Sequence, residues 1–201
     1  MKKQQRMGKN NKAQVLRTAS ELFSVYGYHG TCMRDLARAA GLSPSSIYTH
    51  IRSKHELLQE VVYMAAAMFL HQAMTVPDGA PIEHRFVLLA RGHMEVLMRE
   101  WSYAMVLFHE ARFLDLPSLM QAQKTYDLYE SHFYGAIEAG TTQGIFHVSR
   151  VDLAARFVLS ALNWTYLWPK PREPYNQRTA DQYVQLILHA LQAGQLPPPF
   201  L

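Results

Sequence analysis

The sequence predicts an all-α protein of about nine helices, and three observations predict it. Apolar residues recur at three- and four-residue spacing through most of the 201 residues. No convincing period-two alternation, the mark of a half-buried strand, occurs at any length. Glycine and proline punctuate the periodic stretches: Gly27, Gly41, Pro77, Gly79, Pro81, Pro117, Gly140 and Pro169 fall where helices are expected to stop. With 49% hydrophobic residues there is ample material for a core.

The first ten residues are polar and charged without period, and read as an unstructured arm ahead of a helix beginning near Asn10 or Asn11. Val15, Ala19, Leu22, Phe23 and Tyr26 give that first helix its stripe, and Gly27 is its C-terminal glycine. After a connector at 28–30, Thr31 or Cys32 opens a second helix, with Thr31 the better cap chemically; Leu36, Ala37 and Ala40 form its small apolar face. Gly41 follows where a residue able to take φ > 0 is wanted, and Leu42 reads as a plug into the core. Ser43 as N-cap and Pro44 at the first helical position start a third, short helix. Its only apolar stripe is Ile47 and Ile51, so Ser45, Ser46, Tyr48, Thr49 and His50 are displayed rather than buried. Ser53 and Glu56 then form a capping box for a long fourth helix carried by Leu57, Leu58, Val61 and Ala65.

Beyond the break at Pro77, Gly79 and Pro81, the stripe Phe86, Leu89, Ala90, His93, Val96 and Leu97 marks a fifth helix. Residues 101–114 are apolar enough for a largely buried helix that Pro117 terminates. A long helix over 119–139 is expected to stop at Gly140. Asp152 reads as the cap of the next, with Leu153, Ala154, Phe157, Val158, Ala161 and Leu162 as its apolar face, until Pro169, Pro171 and Pro174 forbid continuation. The last helix covers about 179–193 on Tyr183, Leu186, Ile187, Ala190 and Leu191, and the closing QLPPPFL is irregular.

Charge is unevenly spread. Up to Glu60 there are ten Lys and Arg against four acids, a net +6; the remainder has ten against twelve, a net −2, which makes up the overall +4. A basic head carrying an exposed polar helix points to nucleic acid. A solvated basic tail would account for Lys2 to Lys12 but not for Arg34, Arg38, Arg52 and Lys54. No run of about eighteen uncharged apolar residues and no apolar stretch behind the charged start support a membrane span or a signal peptide. A cytoplasmic protein is expected, and the lone cysteine, Cys32, agrees with a reducing compartment; it reads as a small buried or half-buried residue. Ten histidines invite a metal or catalytic reading, but His109 and Glu110 lack a second histidine, position 113 being Phe. Paired carboxylates, a nucleophile motif and a glycine-rich phosphate loop are also missing, so no catalytic residue, metal or cofactor is expected and the chain is read as not an enzyme.

The segments LFSVYGYHGT and MRDLARAAGLSPSSIYTHIRSKHELL closely resemble the N-terminal signature of the TetR family of bacterial transcriptional regulators, over about residues 15–62. The resemblance implies a helix-turn-helix DNA-binding domain at 1–55 and a larger helical effector-binding and dimerisation domain at 56–201. It implies a homodimer that pairs through the last two helices, binds palindromic operator DNA as a repressor, and is released by a small molecule. Its DNA contacts map to Thr31, Arg34, Ser43, Pro44, Ser45, Ser46, Tyr48, Thr49, His50 and Lys54. Short hydroxyls suit close approach to bases, Pro44 suits a thymine methyl, and Lys54 matches a phosphate-binding lysine at a helix start. Two assignments stay open here: Tyr48 bonds a phosphate or packs under the third helix, and Thr31 is a plain cap, a phosphate contact, or both. The C-terminal residues Gly144, Phe146, Asp152, Leu162, Asn163, Trp164 and Trp168 are similar to a branch that answers to acyl-coenzyme A thioesters, although Trp168 is followed by Pro169, Lys170 and Pro171 with no glycine. Trp101, Met105, Phe108, Phe133 and Trp164 are candidate effector contacts, with plain core as the alternative role for such aromatics. The other reading of the whole chain is an effector-independent architectural DNA-binding protein.

Overall fold

The computed structural model describes the backbone of residues 2–49, 51–167 and 177–193, and side chains from Lys12 onward within them. His50, Trp168, Pro169, Lys170, Pro171, Pro174 and the 195–201 tail lie outside the described residues. Among the described residues the chain forms nine α-helices and no strand: α1 Lys2–Gly30, α2 Met33–Ala39, α3 Pro44–Tyr48, α4 Lys54–Met74, α5 Ile82–Arg99, α6 Trp101–Met105, α7 Leu116–Thr142, α8 Val151–Asn163 and α9 Gln177–Ala193. The all-α expectation holds. The contacts divide the chain into two compact units, one of Met1–Ala67 with Glu100–Thr125, the other of Met68–Arg99 with Tyr126–Leu201.

In the first unit α1 starts at Lys2, not near Asn10. Lys, Gln, Arg and Met are good helix formers, and extending an existing helix costs far less than nucleating one. The helix breaks at Gly27, whose φ of 74° and ψ of 164° are open to glycine and costly for other residues. Val15, Ala19 and Phe23 are buried on its inner face, opposite Leu36, Ala37 and Ala40 of α2 in the same small core. Two expectations about the start of α2 fail together. Cys32, not Thr31, is the N-cap residue, and its side chain makes no capping bond. Cys32 is exposed, while Thr31 is buried with its hydroxyl donating to the Gly27 carbonyl at 3.0 Å. Thr31 thus ties down the end of α1 beyond its kink at Gly27 in preference to capping α2.

Residues 101–114 do not form one buried helix. α6 gives way to a π-helical turn at Val106–Glu110 and a 3-10 turn at Ala111–Phe113, and Trp101 is exposed. The wider turn brings a carboxylate inward: Glu110 is buried and its Oε2 accepts from the Tyr28 N–H at 2.6 Å. Pro117 sits in the first turn of α7, where its missing N–H is harmless, so it opens the following helix.

In the second unit, Gly140 does not end α7. The helix continues to Thr142, and a Cβ at Gly140 would overlap the Phe146 ring packed against it. Asp152 lies within the first turn of α8 after the N-cap residue Arg150, and the two are ion-paired. α8 is apolar on two sides rather than one: Ala155, Val158, Leu159 and Leu162 are buried, whereas Leu153 and Phe157 are 53% and 55% exposed. α5 and α9 form the most extensive helix pairing of this unit, with Phe86, Leu89 and Leu97 buried on one and Val184, Ile187 and Leu191 on the other.

Candidate nucleic-acid interface

The helix-turn-helix is built by local chemistry. Gly41 adopts φ 66°, and around it the Leu42 N–H bonds the Ala37 carbonyl at 2.9 Å while the Gly41 N–H bonds that of Arg38 at 3.2 Å. These are the two reversed bonds of a Schellman ending, which satisfies the last carbonyls of α2 and turns the chain. Ser43 then caps α3: its Oγ accepts from the Ser46 N–H at 3.2 Å, with Pro44 at the first helical position. Ile47 and Ile51 are fully buried and hold α3 down. The Gln14 side chain donates to the Ala40 carbonyl at 2.9 Å and pins α1 to the end of α2.

What α3 leaves outside is Pro44, Ser45, Tyr48 and Thr49, all exposed, with Ser46 half-buried. Tyr48 does not pack under α3; its side chain is 51% exposed. The hydroxyls are tied to one another: Ser43 Oγ lies 2.9 Å from Ser45 Oγ and 2.8 Å from Ser46 Oγ, and Thr49 Oγ1 donates to the Ser46 carbonyl at 2.6 Å. Each can rotate its proton, so the row offers a donor or an acceptor as a base edge requires. Arg34 is exposed near the start of α2, beside an Arg38–Asp35 ion pair. The Cys32 thiol donates to Asp35 Oδ2 at 2.8 Å, and that bond, with Arg38 and Arg34 nearby, holds the Asp35 carboxyl below its ordinary range.

Lys54 is turned inward. Its Nζ donates to the carbonyls of Tyr28 at 2.9 Å and Thr31 at 3.0 Å and lies 4.4 Å from the Tyr28 ring centroid. Ser53 caps α4 as the sequence predicts, its Oγ accepting from the Glu56 N–H at 3.0 Å, but the box does not close on Ser53: Glu56 Oε2 accepts from the Arg52 N–H at 2.6 Å. His55 joins Asp115 at 3.0 Å, and Asp115 also accepts from the Ser118 N–H at 2.8 Å at the start of α7. Ser118 and His55 together hold the Asp115 carboxyl low. Thus Arg34, Ser43, Pro44, Ser45, Ser46, Tyr48 and Thr49 lie along the α2–α3 element, whereas Thr31 and Lys54 each bond backbone carbonyls of the first unit. Sequence reasoning missed Gln14, Tyr28, Glu110 and Asp115; only Glu110, a lone carboxylate in an apolar run, carried a readable signal.

The candidate effector residues do not fall in one unit. Trp101, Met105 and Phe108 belong to the first, and Phe133 and Trp164 to the second. Phe133 is fully buried edge-on to Phe86 and Tyr129, whereas Trp164 is 62% exposed and stacks on Tyr166. The second unit also buries His93 against Tyr129, with Nδ1 2.5 Å from the phenol oxygen. Among the described residues no cluster of His, Cys, Asp and Glu could hold a metal, and no helix is long and apolar enough to cross a membrane.

Comparison with known proteins matches this architecture at both ends. Residues 15–61 match the family described as bacterial regulatory proteins, tetR family, and residues 79–191 match the tetracyclin repressor-like C-terminal domain. The HTH-type transcriptional repressor KstR2 of Mycolicibacterium smegmatis is 24% identical over 187 residues, covering 90% of this chain and 91% of the relative. The TetR family regulator PfmR from Thermus thermophilus superposes with a TM-score of 0.80 at 25% identity, covering 91% of this chain and 99% of that one. AibR, solved in complex with isovaleryl coenzyme A and operator DNA, superposes with a TM-score of 0.79 at 23% identity over 94% of this chain and all (100%) of that one.

Proposed function

Since the chain belongs to the TetR family of bacterial transcriptional regulators, we propose that it is a repressor that binds a palindromic operator as a homodimer and lets go when a small molecule binds its C-terminal region. The observation that carries this reading is the asymmetry of α3, which buries Ile47 and presents Pro44, Ser45, Tyr48 and Thr49. A helix so presented fits the major groove with its N-terminal residues at base edges, while Arg34 and Tyr48 reach bases or phosphates. Residues 1–55 form the reading head, and 56–201 bind the effector and the second chain. Thr31 and Lys54 hold the head in shape, and any phosphate contact by Lys54 uses the third N–H of its ammonium.

The exposed apolar side of α8, with α9 beside it, supplies the dimer face. Two heads set about 34 to 36 Å apart then enter successive major grooves. An effector lowers operator affinity only by favouring a conformation with the heads wrongly spaced. Acyl-coenzyme A thioesters are the class to try first, because AibR was solved with one together with operator DNA. The test is an electrophoretic shift with the DNA upstream of the chain's own gene, with and without a panel of such thioesters. A retarded complex that a thioester dissolves is expected; a complex that no effector touches favours an architectural role, and no complex at all refutes the reading.

A further inference from the structure

The first turns of α1 carry a charge pattern that folding does not explain. Lys2, Lys3, Arg6, Lys9, Lys12 and Arg17 all precede the first acidic residue of the chain, Glu21. Two of them are tied to the first unit: Lys12 pairs with Glu60 at 3.0 Å and Arg17 with Glu100 at 3.5 Å. The other four have no acid within helical reach, since Glu21 stands twelve residues beyond Lys9 and an intrahelical pair needs a spacing of three or four. The first turn of α1 holds no acid and begins with Lys2 and Lys3, at the end where the helix dipole disfavours cations. Gly8, Asn10 and Asn11 add no helix propensity to set against this. Stability alone therefore gives no reason for the pattern, whereas an anionic partner does.

The place and composition of the segment select that anion. α1 is helical from Lys2, and its one break in helical geometry is at Gly27, so residues 2–14 run straight into the part of the helix that packs on α2. Gln14 donates to the Ala40 carbonyl at 2.9 Å, at the turn that leads into α3. Lys2 stands twelve residues ahead of that bond, which is about 18 Å of helix. Lys2, Arg6 and Lys9, spaced by four and then three, share one face. An anionic membrane surface would call for an apolar face as well, and residues 2–14 offer only Met7 and Ala13. Nucleic-acid phosphates need no such face. The four residues also precede residue 15, where the family match begins, so that match does not cover them.

We propose that Lys2, Lys3, Arg6 and Lys9, at the start of α1, form a second DNA contact outside the helix-turn-helix, taking backbone phosphates of the duplex that flanks the half-site. The proposal rests on the operator reading above for the half-site and adds a contact that reads no sequence. Phosphate contacts set affinity and register without telling one base from another, and each one made releases counterions. The segment thus gives the protein a hold on any duplex, and α3 supplies the choice of site.

The test titrates the full-length protein, by fluorescence anisotropy between about 50 and 200 mM salt, onto the DNA upstream of its own gene and onto an unrelated duplex of equal length. Lys2→Gln, Lys3→Gln, Arg6→Gln and Lys9→Gln are made together, glutamine being as good a helix former as the residues it replaces. The slope of log affinity against log salt is expected to become shallower by about 3 to 4 per chain. Both duplexes are expected to weaken by the same factor, with the melting temperature unchanged. Lys2→Arg, Lys3→Arg, Arg6→Lys and Lys9→Arg together keep the charge and the slope. A chain lacking residues 2–9 behaves as the glutamine variant, and decides if that variant does not fold. An unchanged slope overturns the proposal, and so does a loss confined to the upstream DNA, which would make the segment a reader of bases. Binding to anionic phospholipid vesicles that the glutamines abolish, with the duplex slope unchanged, overturns it in favour of a membrane surface. Wild-type protein that binds the two duplexes alike refutes the operator reading, and a slope that the glutamines still flatten then leaves the phosphate contact standing. No binding to either duplex refutes both.

Discussion

Helices α3 and α8 each bury one side in their own unit, but they turn opposite chemistries outward. α3 buries Ile47 and shows hydroxyls, a proline ring and a tyrosine; α8 buries Val158 and Leu162 and shows Leu153 and Phe157. Hydroxyls that bond one another in water cost nothing to leave exposed, so α3 is stable bare and its partner can come and go. Burying a Leu or Phe side chain is worth about 1.5 to 3 kcal/mol, so α8 has a standing drive to be covered. The difference is what supports the proposal that α3 makes intermittent DNA contact and α8 a lasting pairing with a second copy.

The largest break in that contrast comes from Phe157→Asp. The variant is expected to elute as a monomer with its melting temperature little changed, and to lose at least about a hundredfold in operator affinity because two linked heads become one. Light scattering and a gel shift measure the two effects, and an unchanged dimer would move the interface off α8. Ile47→Ala attacks the buried side of α3 and should cost about 2 to 5 kcal/mol, read by denaturant unfolding, with operator binding lost as the head loosens. Lys54→Met separates scaffold from contact. If its bonds to the Tyr28 and Thr31 carbonyls are its main work, stability falls by about 1.5 to 3 kcal/mol. A salt slope reduced by about one with unaltered stability would instead mark a phosphate ligand. Ser43→Ala, removing the α3 cap, is the smallest, at about 1 kcal/mol in the same unfolding experiment.

The reading head was legible because its determinants are local. Gly41, Ser43 with Pro44, and Ser53 with Glu56 act within a few residues, and each forms the turn or cap that its spacing predicts. What the sequence left unread are contacts that residue type does not announce. Lys54 finds carbonyls more than twenty residues back, whereas Gly140 makes room for Phe146 six residues on and the Thr31 hydroxyl donates to the Gly27 carbonyl four residues back. The π-helical turn that turns Glu110 toward Tyr28 follows from no residue type in the run that forms it. The second apolar side of α8 was partly visible, since Leu153 and Phe157 stood in the stripe; only the structure separates the residues facing inward from those facing out.

Sedimentation equilibrium of the full-length chain on a duplex carrying its operator weighs both helices at once. The expected mass is that of two chains on one palindromic duplex, falling to free duplex and free dimer as salt is raised, because phosphate contacts are lost while the apolar pairing is not. One chain per duplex, or a dimer that dissociates with salt before the DNA is released, would contradict the assignment of α3 to DNA and α8 to the second copy.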